Sequence, residues 1–266
     1  MVREEATTVS GRSFTRRGRI AAVIFTLVCV GLVILVMVWP RPLEVDYVQP
    51  WKFTRTGTEN ITGKYNATIE HYNVSKYNES FGRDEISYWF NGSRERGPFI
   101  PTAVNTMNWI KNNTADDSVF LSWWPYGHMI RGMAERESII SDPSTVIADT
   151  VMFPERVDKW EERERVNDVA GALLTTDLNF TKDIMDKYHS RYVLAEKDAV
   201  TYMDALCKAV GKDLRNYTVY EPGLGVRFVG TGLDCAMYRF IFATNVPGFE
   251  RIYGDDLFMI FKLTAG

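Results

Sequence analysis

Two stretches carry residue types that chemistry uses. Ser122-Trp123-Trp124-Pro125-Tyr126-Gly127 follows the apolar run Val119-Phe120-Leu121. It reads as a buried strand, Ser118 to Ser122, that breaks into a turn at Pro125 and Gly127. Aromatic rings at such a turn either plug the end of a core or line a groove for an apolar or hydroxylated group. The second stretch, Glu44-Val45-Asp46, has the spacing of an acidic metal pair. Two acids with no third ligand read instead as a solvated loop. His71, His128 and His189 make no zinc spacing, and no G-x-S-x-G is present. Gly223-Leu224-Gly225 is a turn rather than a phosphate loop. No metal, no cofactor and no catalytic residue is expected from these patterns.

The elements that would position the tryptophans alternate in type. Helices are expected over Thr102–Asn113, around Met129, Ile130 and Met133, and over Glu161–Leu174, Thr181–His189 and Ala236–Ala243. A further helix over Asp198–Val210 is closed by Gly211. Short strands are expected at Ile139-Ile140 and Arg191–Ala195. The tail turns to strands at Tyr217–Tyr220, Val226–Val229, Arg251–Tyr253 and Leu257–Leu263. This pattern describes a mixed α/β domain with a β-rich C-terminal portion.

The chain has 266 residues, a net charge of −3 and 24% charged residues, which gives no support for nucleic-acid binding. Ile20–Trp39 holds no charged residue and at 1.5 Å per residue spans about 30 Å, a bilayer core. Arg12, Arg16, Arg17 and Arg19 precede it, so the positive-inside rule puts Met1–Arg19 in the cytoplasm and the remainder outside. The run is too long for a cleaved signal peptide. A single-pass cell-membrane protein with an extracellular domain is the expectation, with the bilayer as its first partner. Residues 40–97 are rich in Asn, Thr, Ser, Gly and Tyr and read as an exposed linker or irregular insertion, leaving 98–266 as the globular domain.

That linker is dense in N-x-S/T sequons, at Asn60, Asn66, Asn73, Asn78 and Asn91, and Asn112, Asn179 and Asn216 follow. External placement makes these glycosylation candidates, although an Asn/Thr-rich composition also raises the count. Cys29 falls in the apolar span, whereas Cys207 and Cys235 fall in the external domain and are a disulfide candidate.

Ser122 to Asp142, S-W-W-P-Y-G-H-M-I-R-G-M-A-E-R-E-S-I-I-S-D, resembles the W-W-D-Y-G region of the catalytic subunit of oligosaccharyltransferase, of archaeal type. The likeness extends through Trp109-Ile110-Lys111-Asn112-Asn113-Thr114, Met237-Tyr238-Arg239-Phe240, Gly248 to Tyr253 and Phe258 to Lys262. It covers about Pro98 to Leu263. In that family an external domain grips the Ser or Thr of an acceptor peptide, while a multi-span half holds a lipid-linked sugar donor and a divalent metal. The resemblance implies an acceptor pocket at Trp123, Trp124, Pro125, Tyr126 and Gly127. Its second family element, an Asp followed by Lys and then Met or Ile, corresponds to Asp198, Thr201 and Ala205. Pro125, Thr201 and Ala205 depart from the pattern, so the pocket reads as degenerate or retuned. One span cannot enclose a lipid pyrophosphate. The resemblance therefore implies a domain that is non-catalytic alone, accessory or peptide- and glycoprotein-binding in N-glycosylation. The alternatives are the acceptor-binding part of a split enzyme with a multi-span partner subunit, and a structural surface glycoprotein.

Overall fold

The computed structural model describes residues 52–76, 79–123, 126–140 and 162–264. The chain divides into two compact units, 1–50 and 51–266. The expected anchor, Glu44, Asp46, Cys29, Asn78, Trp124 and Pro125 all lie outside the described residues. Among the described residues, no helix is long and apolar enough to cross a membrane.

The second unit is a mixed α/β domain. Four long strands come first: β1 (Lys52–Ile61), β2 (Ala67–Lys76), β3 (Glu79–Phe90) and β4 (Ser93–Pro98). They form one antiparallel sheet in the order β1-β2-β3-β4. The segment is thus not the irregular linker that its composition suggests. Asn91 (φ 49°) and Gly92 (φ 81°) join β3 to β4 in the left-handed conformation that favours these two residues. In β3 the residues Glu79–Arg83 are exposed throughout, whereas Ile86, Ser87 and Tyr88 are buried. Half of the sheet packs and the other half projects beyond the core.

The elements that follow are α1 (Val104–Asn113), β5 (Val119–Ser122), α2 (Gly127–Gly132) and β6 (Glu137–Ser138). After them come α3 (Glu162–Leu174), α4 (Leu178–Lys187), β7 (Tyr192–Glu196) and α5 (Met203–Ala209). The chain then runs through β8 (Thr218–Glu221), β9 (Gly225–Phe228), α6 (Ala236–Phe242), β10 (Phe249–Gly254) and β11 (Phe258–Leu263). A second sheet has the order β10-β11-β7-β5-β6, and β8 pairs with β9. β5 runs parallel to β7 and to β6, while β7 and β11 are antiparallel.

Several boundaries differ from expectation; α4 runs Leu178–Lys187 where Thr181–His189 was expected. The strand expected at Ile139-Ile140 lies at Glu137–Ser138, because those two pair with Val119 and Phe120. The helix expected from Asp198 starts as a 3-10 turn, Ala199–Tyr202, before α5; the left-handed Gly211 (φ 66°) follows that helix.

The second sheet separates two cores by strict alternation. Leu121, Val193 and Phe261 face a core shared with α3, α4, α5 and α6. Phe120, Tyr192, Leu194, Phe258 and Ile260 face the other, shared with α1, α2 and the packed half of the first sheet. Arg136, 4% exposed, ties the end of α1 to this layer. Its Nη2 donates to the Lys111 and Thr114 carbonyls at 2.7 Å each, and its Nε to Thr114 Oγ1 at 3.1 Å. Those carbonyls would otherwise be among the unpaired acceptors of a helix terminus.

The first sheet approaches α2 closely through two glycines. A Cβ at Gly132 would sit 2.8 Å from Ile86 Cδ1 and 3.0 Å from Tyr88 Cδ1, and one at Gly97 would enter the buried His128 ring. Gly97→Ala is expected to destabilise the domain by about 1–3 kcal/mol through overpacking. Urea unfolding of wild type and variant measures this, and an unchanged midpoint would mean that β4 does not pack on α2.

Candidate functional site

The parallel pairing of β5 and β7 sets Ser122 opposite Leu194. β5 therefore ends two residues short of the end of β7, and Trp123, just beyond β5, shares a crevice with Glu196 at the end of β7, the usual place for a ligand at the carboxyl ends of parallel strands. A cavity of about 10 Å³ lies there, lined by Trp123, Tyr126, Leu173, Leu194, Ala195, Glu196, Ala199, Tyr202 and Met237. That volume admits one water-sized group.

Trp123 faces the helical core and Tyr126 the opposite one, so the aromatic turn straddles the sheet edge. The Tyr126 ring is packed edge-on against Phe258, at a centroid distance of 4.7 Å and an angle of 90°. The strand end itself is tied down by a 2.9 Å hydrogen bond between the Ser122 and Ser138 hydroxyls, both buried.

Three buried polar atoms at this cavity make no hydrogen bond of ordinary geometry among the described residues: Trp123 Nε1, Tyr126 Oη and Glu196 Oε2, the last two near enough for the phenol to act on the carboxyl. Leaving such atoms unpaired costs about 1–3 kcal/mol each. They comprise one donor, one donor-acceptor and one acceptor. Burial pushes the Glu196 carboxyl above its ordinary range; Tyr126 acts against this, and the nearby charge of Asp198 adds to it. Burial, then the Glu196 charge, pushes the Tyr126 and Tyr202 phenols up as well.

Of the residues picked out in the sequence, Trp123 and Tyr126 border the cavity, and Gly127 is buried at the start of α2. Asp198 is exposed, and its charge reaches Glu196. Thr201 is exposed and donates to the Asp198 carbonyl at 2.9 Å, while Ala205 packs on the helical core. The segment 198–205 contributes Ala199 and Tyr202 to the cavity lining. Glu196 was missed. Its sequence signal is a single acid closing the apolar run Tyr192-Val193-Leu194-Ala195.

Cys207 and Cys235 are not paired. Both are buried and free, and Cys235 Sγ is turned onto the Gly232 carbonyl at 3.2 Å. Burial raises both thiols, Cys207 to about 11, which disfavours the thiolate that disulfide exchange needs.

No protein-family model matches the chain. A 35-residue stretch, 13% of the chain, is 46% identical to the dolichyl-diphosphooligosaccharide–protein glycosyltransferase subunit stt-3 of Caenorhabditis elegans, of which it spans 5%. Structural neighbours are C-terminal globular domains of oligosaccharyltransferases. One from Archaeoglobus fulgidus has a TM-score of 0.47 and 16% identity, over 62% of this chain and 99% of that domain. The C-terminal domain of Campylobacter jejuni PglB has a TM-score of 0.42 and 10% identity, over 61% of this chain and 99% of that domain. The larger A. fulgidus AglB, solved with an inhibitory peptide and a dolichol-phosphate, has a TM-score of 0.42 and 14% identity, over 60% of this chain and 24% of its own.

The raised Glu196 carboxyl has a consequence for stability. Its contribution is fully present below the ordinary carboxylate range and is lost as pH rises through the raised value. Glu196→Gln does not titrate and escapes that loss. The stability difference, variant minus wild type, is expected to grow with pH across that interval in urea unfolding. A difference independent of pH would show that Glu196 is not held in a dry site.

Proposed function

We propose that the domain holds the hydroxyl of a peptide side chain, and that it serves protein N-glycosylation by recognising the acceptor rather than by forming the bond. The observation that carries this reading is the trio of unpartnered atoms around a water-sized cavity. An alcohol complements them: its oxygen accepts from the Trp123 indole N–H, and its O–H donates to Glu196 Oε2. Tyr126 Oη can serve in either sense. The cavity takes a hydroxyl and leaves the rest of the side chain at its rim. A sequon's Ser or Thr supplies that group, and the local likeness to a glycosyltransferase subunit supports this choice.

The transfer step falls to another chain in this reading. Among the described residues no group of three His, Cys, Asp or Glu is placed to hold a metal ion. A multi-span membrane partner would bring the lipid-linked donor, and the apolar run Ile20–Trp39 would hold this domain beside it on the outer side of the cell membrane. A purely structural surface coat has no use for the unpaired polar atoms, which favours the peptide-binding reading over it.

The test compares two peptides on the full chain in detergent micelles. One contains Asn-Ala-Thr, and the other the isostere Asn-Ala-Val. The Trp123 indole N–H resonance, assigned with Trp123→Phe, is expected to move with the threonine peptide. A hydrogen bond to a charged group is worth about 1.5–3 kcal/mol, so the valine peptide should bind about tenfold or more weakly. Equal affinities, or a resonance that moves with neither, would remove the hydroxyl site.

A further inference from the structure

The sequons divide by what their hydroxyls do. A sequon is defined by its Ser or Thr two residues on, so that hydroxyl must be readable when the Asn is modified. In Asn112-Asn113-Thr114 it is not. Thr114 is buried, donating from Oγ1 to the Ile110 carbonyl at 2.7 Å and accepting from Arg136 Nε at 3.1 Å. In Asn179-Phe180-Thr181, Thr181 is 0% exposed and donates to the Ala172 carbonyl at 2.8 Å. In Asn216-Tyr217-Thr218, Tyr217 and Thr218 are both buried. These three sequons are locked into α1, α4 and the turn before β8.

The sequons of the first sheet are built differently. All seven described sequon Asn residues are exposed, Asn112, Asn179 and Asn216 included, so the division lies in the hydroxyls. Thr62 and Ser93 are exposed, and Thr68 and Ser75 are half-buried. Thr68 Oγ1, the hydroxyl of the Asn66 sequon, donates to Asn60 Oδ1 at 3.2 Å on the exposed face, a bond that uses the Asn60 oxygen and not its amide nitrogen. Asn73 stands opposite Gly82, where even a Cβ would meet nothing within 4 Å. Asn91 lies in the β3–β4 turn beside Gly92, equally open, and two residues after Trp89, which is 64% exposed. An exposed indole of this kind offers an apolar face to a sugar ring.

We propose that the four-stranded sheet is the N-glycan-bearing part of this protein. Asn60, Asn66, Asn73 and Asn91 carry the glycans, and Asn112, Asn179 and Asn216 stay bare. The step joins the Asn Nδ2 to C1 of the first sugar of a polyprenyl-phosphate-linked oligosaccharide. The C1–O bond to the phosphate breaks, the phosphate leaves with that electron pair, and the amide gives up one proton. The assignment is independent of the peptide-binding reading, because here the chain is the substrate.

Glycopeptide mass spectrometry on the full chain, purified from the cells that make it, tests the assignment. Each of the seven Asn residues receives a fractional occupancy. The four sheet sites are expected to be mostly occupied and the other three unmodified. Occupancy at the sheet sites no higher than at the other three overturns the proposal, whether all seven are modified before folding or none is. A second sample carrying Ser93→Ala and Thr62→Ala, which leave both Asn residues in place, is expected to lose the glycans at Asn91 and Asn60 alone. Glycan retained at those two sites would overturn the proposal as well.

Discussion

The parallel register between β5 and β7 is the constraint on which the site depends. Phe120, Leu121 and Ser122 stand opposite Tyr192, Val193 and Leu194. Phe120 and Tyr192 stack at 5.0 Å and 19° on one face, while Leu121 and Val193 enter the other core. A slip of one residue would exchange the faces of every side chain in the strand. It would also part Trp123 from Glu196. β11 holds β7 from the other side, with Ile260 opposite Leu194 and Phe261 opposite Val193. Two apolar cores thus fix the position of a polar trio that neither core needs.

The charge pattern sets Glu196 apart. Glu137 is served by Arg131 Nε at 3.1 Å, Arg131 Nη2 at 2.6 Å and the Tyr65 hydroxyl at 3.1 Å. Glu70, 7% exposed, receives Arg55, Arg94 and Tyr72; burial works to raise its carboxyl, and those partners outweigh it. Such satisfied carboxylates specify packing. Glu196 has the burial without the donors for its Oε2, and its carboxyl is raised instead. Glu196 Oε2 is thus left open at a cavity in a fold that matches Glu70 and Glu137 with donors.

Much of the second sheet and its helices was legible, because their apolar periodicities are strong. Leu121, Val193 and the run in β11 announce buried strands, and Val166, Val169, Ala170 and Leu173 announce a helix face. The first sheet was not legible, because half of it projects. Strands exposed on both faces need no apolar alternation, and β1 and the start of β3 show none. Asn91-Gly92 carried the one strong hairpin signal there. Trp123 and Tyr126 were readable together because they lie three residues apart in one aromatic stretch. Glu196 was not, because its neighbours are joined only by a strand pairing across some seventy residues. Conversely, Cys207 and Cys235 do reach the same core, but as buried thiols.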